Sequence, residues 1–254
     1  MLPASPRLCG QAIIAQSMTR RDHPLPAAPE LGTQDGLAYA LFEPPGEPRA
    51  AFVIVHGAGS AKESHFDFAR AAAANGLAAI AFDARGHGRS NGELGAGAVD
   101  DVLAMCALAR ERTPHVALRG SSMGGYYAIQ AAATDGDVDA VVAICPAPED
   151  MLVRGLRADA FEFRADRARL EPWLAEHPLE GAIASLAPRT ALLLMHARGD
   201  EQVPWTISQE LFQAAGEPKR FLLLPGGHHR SIQHDLELQA ESIRFVERVV
   251  AAAR

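Results

Sequence analysis

The sequence predicts a single α/β domain with a mostly parallel central sheet, helices on both faces and a small helical cap. Three observations carry this expectation. Short apolar runs alternate with alanine-rich, helix-length segments along most of the 254 residues. Several runs are apolar at consecutive positions, such as Val141-Val142-Ala143-Ile144 and Leu192-Leu193-Leu194-Met195. Such runs mark strands buried on both faces, and their alternation with helices implies a parallel sheet covered on each side. One segment, 146–188, breaks the rhythm, and it is too long for a plain loop in a compact domain.

Taken in order, residues 1–36 read as an N-terminal arm, with three prolines between Asp22 and Glu30 suggesting extended chain. The first strand is expected at Leu37 to Phe42 and the next at Ala51 to Val55, followed by a helix over Lys62 to Asn75. A strand at Leu77 to Phe82 leads into a glycine-rich loop and a helix from Val99 to Arg112. Val116 to Leu118 is a strand running straight into Gly120, with a helix over Gly124 to Thr134 and a strand over Val138 to Ile144 behind it. Segment 146–188 is rich in charge but holds Met151, Leu152, Phe161, Phe163 and Trp173. It is expected to form a helical cap inserted at the carboxyl edge of the sheet, where active sites of such sheets lie. Phe161 and Trp173 are then candidates to face a substrate, or else to pack the cap onto the core. Strands at Thr190 to Met195 and Arg220 to Leu224 flank a helix near Ile207 to Ala215, and a helix from about His234 closes the chain.

The composition is 48% hydrophobic with a formal net charge of -7, and charges of both signs are mixed. No basic tract suits nucleic acid, and no run is long enough to span a membrane. The three cysteines match no metal or disulfide spacing, and the N-terminus shows no signal-peptide core. A cytoplasmic protein is expected, with no cofactor and no metal.

Four motifs carry chemistry. Gly120-Ser121-Ser122-Met123-Gly124 is a G-x-S-x-G pattern lying between an apolar strand and a helix. That placement suits a nucleophilic serine on a sharp turn, where side chains at the flanking glycines would collide. Ser122 has the glycines at the right offsets and Ser121 does not. His56-Gly57-Ala58-Gly59 follows a strand. Its turn can offer the Ala58 N–H, beside that of Met123, to an oxyanion, while His56 reads as structural. Asp200 follows the strand ending at Met195 and suits the carboxylate that orients a base, with Glu201 as the alternative. Gly226-Gly227-His228-His229 follows the last strand, and His229 is preferred over His228 as general base. The paired histidines lack a third ligand at metal spacing.

The chain order Ser122, Asp200, His229 is the order found in α/β-hydrolases. With His56 to Gly59, Asp83 to Ser90, the serine motif, Asp200 to Pro204 and Pro225 to His229, the sequence resembles that superfamily. Within it, the sequence is similar to the branch of serine aminopeptidases, monoglyceride lipases and feruloyl-esterase-like enzymes. The resemblance spans about Leu37 to Ala251. It implies that the base stands three residues after a glycine, which is His229 after Gly226, and that Asp83 to Ser90 is a structural turn. The function expected is cleavage of carboxylic esters of small or medium acyl groups through an acyl-enzyme. Amide or peptide hydrolysis by the same triad is the alternative, and a non-catalytic binding protein on the same fold is a third reading.

Overall fold

The computed structural model describes residues 28–252. The strands are β1 (Glu30–Gln34), β2 (Leu37–Phe42), β3 (Ala51–Val55), β4 (Ala78–Phe82), β5 (Val116–Ser121), β6 (Ala140–Ile144), β7 (Ala191–Ala197) and β8 (Lys219–Leu224). The helices are α1 (Phe66–Ala74), α2 (Ala98–Arg110), α3 (Met123–Thr134), α4 (Glu149–Arg157), α5 (Arg167–Glu176), α6 (Leu179–Ser185), α7 (Trp205–Ala214), the single turn α8 (Ser231–His234) and α9 (Leu236–Ala252). A 3-10 turn over Lys62–His65 precedes α1.

All eight strands form one sheet in the order β1-β2-β4-β3-β5-β6-β7-β8. From β4 to β8 every pairing is parallel, while β1 and β2 attach antiparallel at one edge. The alternation of side chains along each strand divides the interior into two layers. Val53, Val55, Ile80 and Leu118 face the layer closed by α2, α3 and α7. Phe52, Ile54, Ala79 and Ala81 face the layer closed by α1 and α9. Both faces are thus buried, which is why the central strands read as unbroken apolar runs.

Residues 30–34 correct the expected arm, because they pair with β2 as the edge strand of the sheet. Of the rest of that arm, residues 1–27, Cys9 among them, lie outside the described residues. β1 escapes an apolar-run search because its side chains are exposed or half-exposed. Asp35-Gly36 is the signal that marks it. Both residues have positive φ, 52° and 81°, as a two-residue hairpin turn requires, and Asp-Gly is the favoured pair there.

Between β6 and β7 the chain folds as α4, α5 and α6. Tyr126 Oη and Gln130 Nε2 of α3 each donate 2.8 Å hydrogen bonds to the His177 carbonyl, tying these helices to the core. Leu94, in the loop after β4, pairs with Ala165 in a single bridge, so the α4–α5 connection is zipped onto that loop. No helix among the described residues is long and apolar enough to cross a membrane.

Candidate active site

Ser122 stands between the end of β5 and the start of α3, at φ 54° and ψ −120°. Its N–H donates to the Ile144 carbonyl at 2.9 Å, and its own carbonyl accepts from Tyr126 and Ala147. These bonds pin a left-handed backbone that a serine otherwise avoids. The turn is that tight because no side chain intervenes. A Cβ at Gly120 would meet the Gly124 carbonyl oxygen at 2.1 Å, and one at Gly124 would meet that of Val55 at 2.1 Å.

The segment after β3 packs directly against this turn. His56 is buried and bonded on both ring nitrogens. Nε2 accepts the Ala84 N–H at 3.0 Å, so Nδ1 carries the proton and donates to the Gly57 carbonyl at 2.8 Å. Burial pushes this imidazole down to about 4, with His87 nearby adding to the effect. His56 is therefore a neutral brace for the turn that presents Ala58. The N–H groups of Ala58 and Met123 make no hydrogen bond among the described residues, which leaves both free to bind an anionic oxygen. Lys62 and Asp83 lock the same turn from below. Lys62 Nζ donates to Asp83 at 2.6 Å, and the N–H groups of Lys62 and Arg89 donate to the same carboxylate. Asp83 to Ser90 is thus a structural turn. His87 in it is stacked on Phe163, with ring centroids 4.3 Å apart, and lies edge-on to His56 at 4.8 Å.

Asp200 and His229 come from the loops after β7 and β8. Their loops approach closely at Gly199, where a Cβ would meet the Gly227 carbonyl oxygen at 2.4 Å. His229 Nδ1 donates to Oδ2 of Asp200 at 2.8 Å, and both side chains are almost wholly buried. Burial alone would raise the Asp200 carboxyl. Hydrogen bonds from His196 and His229 and from the N–H groups of Val203 and Gln202 outweigh it and hold the group well below the usual carboxylate range. Glu201 is exposed and accepts the backbone N–H of His229 at 3.2 Å, so it holds the main chain while Asp200 holds the ring. His228 is exposed, and its N–H is bound by the Ser231 hydroxyl.

Ser122 and His229 line one cavity of about 570 Å³, together with Ala58, Phe161 and the polar side chains of Glu162, Gln202, Arg230 and Gln233. A direct hydrogen bond from Ser122 Oγ to His229 is not among those the described residues make; such contacts commonly close only around substrate. Trp173, a candidate for the same wall, lies elsewhere. It stacks on His177 at 4.2 Å and on Tyr127 at 6.2 Å and does not line the cavity. Through Tyr126 and Tyr127 of α3 the Trp173 ring ties α5 to the core.

Three contributors carry no clear mark in the sequence. His196 contacts Asp200, and its only signal is a histidine four residues upstream. Arg119, buried on β5, donates to the Gln233 carbonyl at 3.0 Å and so ties down the chain after His229. The polar cavity wall of Glu162, Gln202 and Arg230 comes from loops, where no periodicity marks it.

The sheet order, the strained serine turn and the covered parallel strands define an α/β-hydrolase fold. Within that fold, residues 46–165 match the family described as "Serine aminopeptidase, S33" (Hydrolase_4). YfhR of Escherichia coli O157:H7, an uncharacterized protein, is 28% identical over 190 residues. That match covers 71% of this chain and 63% of YfhR, so the chain spans less than two thirds of the curated relative's length. Est1E from Butyrivibrio proteoclasticus, solved with ferulic acid bound, superposes with a TM-score of 0.69 at 20% identity, covering 87% of this chain and 99% of Est1E. A monoacylglycerol lipase from Paleococcus ferrophilus gives 0.65 at 24% identity, covering 87% and 99%.

Proposed function

We propose that the protein is a serine hydrolase that cleaves carboxylic esters of small or medium acyl groups through an acyl-enzyme. One observation carries the reading. Ser122, at a strained strand-to-helix turn, opens onto the same cavity as His229, whose Nδ1–H is held by Asp200 at 2.8 Å. In this scheme His229 Nε2 takes the Ser122 proton as Oγ attacks the carbonyl carbon. The oxygen that gains charge is received by the N–H groups of Ala58 and Met123. His229 then gives its proton to the leaving alcohol, and a water activated by the same imidazole releases the acid. Asp200 remains ionised throughout and supports the charged imidazolium. The cavity volume falls within the usual range for small-molecule sites, which supports a substrate of modest size. The names of Est1E and the Paleococcus lipase support ester chemistry.

Amide cleavage is the second reading, favoured by the match to a family described as serine aminopeptidase. Turnover of a p-nitrophenyl ester series from acetate to decanoate, run beside aminoacyl p-nitroanilides, separates the two. Ester turnover peaking at short or medium chains is expected. Anilide turnover exceeding that of every ester would replace the esterase reading with the aminopeptidase one.

A further inference from the structure

His196 lies at the end of β7, fully buried. It is a polar group against Asp200 for which the hydrolytic steps above have no use. Its Nε2 is 2.9 Å from the Val203 carbonyl oxygen and 3.3 Å from Oδ2 of Asp200. A carbonyl and an ionised carboxylate only accept, so Nε2 carries the proton, donates it to the Val203 carbonyl and turns its positive edge to Oδ2 of Asp200. Nδ1 is 2.7 Å from Oγ of Ser208, a fully buried residue of α7. That hydroxyl makes no other hydrogen bond among the described residues, and it donates to Nδ1. The tautomer is fixed from both sides.

Oδ2 of Asp200 thus accepts the His229 N–H at 2.8 Å and faces the His196 N–H at 3.3 Å, while Oδ1 receives the N–H groups of Gln202 and Val203. A negative charge shared between two donors binds each less strongly than it would bind one. We propose that His196, backed by Ser208, is a positioning residue that fixes the orientation of Asp200 and draws on its charge, so that His229 remains an unprotonated base further into the acid range. This role rests on the serine-hydrolase reading, in which His229 is the base. Other ionisable groups face this pair from the neighbouring elements. Cys145, after β6, has its thiol within 4.8 Å of the His196 and Asp200 ligand atoms, and burial keeps it protonated. Glu201 lies on the Asp200 loop, and Glu162 and Arg230 lie across the cavity. The Cys145 thiol is a weak further donor toward the Asp200 carboxylate, while Glu201, Glu162 and Arg230 make no hydrogen bond to Oδ2 among the described residues.

The test compares His196→Leu, His196→Gln and Ser208→Ala with the unmodified chain, in two readouts. One is the pH dependence of p-nitrophenyl acetate turnover. The other is the pH at which the His229 ring resonances change over by NMR, assigned through their loss in His229→Ala. In His196→Leu both acid-side midpoints should rise by about 0.5–1 in pH, with Ser208→Ala moving less. Activity is then lost several-fold more at pH 6 than at pH 8. His196→Gln, whose amide N–H can replace that of Nε2, should restore the midpoint toward the unmodified value. If His196→Leu does not fold, Ser208→Ala decides by the same criterion. A His229 changeover that stays put, or activity lost evenly at every pH, would make His196 a packing residue and overturn the proposal. Absence of ester turnover in the unmodified chain would count against the hydrolase reading instead, and the NMR midpoints would still decide the role of His196.

Discussion

At residue scale the site rests on unequal pairs of like neighbours: Ser121 and Ser122, Asp200 and Glu201, His228 and His229. In each pair composition offers two candidates, and geometry distinguishes them through burial and partners. Ser122 keeps a backbone conformation costing on the order of 1–3 kcal/mol, held by three backbone hydrogen bonds. Ser121 is buried within β5. His229 has its ring on Asp200, whereas His228 is exposed and is held only through its backbone N–H. His229→Ala should therefore lower ester turnover by about 10⁴-fold or more, and His228→Ala by less than about tenfold. The pH profile has a definite sign. A base works unprotonated, so the rate should fall on acidification as the imidazole takes up a proton. Asp200, held well below the usual carboxylate range, stays charged through that fall and adds no second step there. Equal losses in the two alanine variants, measured as kcat/KM, would contradict the assignment of the base.

At the scale of elements, the positions of the three proposed catalytic residues follow from where strands stop. Ser122, Asp200 and His229 each stand just beyond the carboxyl end of a parallel strand, β5, β7 and β8 respectively. Those strands were legible because burial on both faces demands continuous apolar residues. β1 was not, because an exposed edge strand needs no apolar run and only its Asp35-Gly36 turn announces it. Two close backbone approaches at the site depend on glycine, Gly124 against Val55 and Gly199 against Gly227, and the glycines of the site give a sharp contrast between two substitutions. Gly124→Ala would drive a Cβ to 2.1 Å from the Val55 carbonyl oxygen and 2.5 Å from that of His56, displacing the serine turn and the Ala58 turn together. Gly226→Ala meets no atom within 4 Å. The first should cost about 1–3 kcal/mol or more in urea unfolding and abolish most turnover. The second should leave both nearly intact. Comparable stability of the two variants would mean that the elbow is looser than its contacts indicate.

At the scale of the whole molecule, the cap and the sheet meet through aromatic rings with different duties. Phe161 stacks on Phe163 at 5.3 Å, Phe163 on His87, and His87 meets His56. This row runs from the cavity wall to the brace of the Ala58 turn. Trp173 belongs to a separate group with Tyr126, Tyr127 and His177, which seats α5 on α3. The sequence located both aromatics in the inserted segment, but helical periodicity alone cannot say which one faces the cavity. Phe161→Ala should thus shift the preferred acyl length, by roughly 1–3 kcal/mol in kcat/KM between chain lengths. Trp173→Ala should lower the melting temperature, at a cost of about 2–4 kcal/mol, and reduce all esters alike. A change of chain-length preference in the Trp173 variant would show that the tryptophan acts on substrate after all. The central claim, an activated serine at 122, has a direct measurement in fluorophosphonate labelling followed by peptide mass mapping. The native chain should take up one phosphonyl group on Ser122, Ser121→Ala should label as well, and Ser122→Ala should not. A folded native chain that stays unlabelled, or a label that persists in Ser122→Ala, would contradict it.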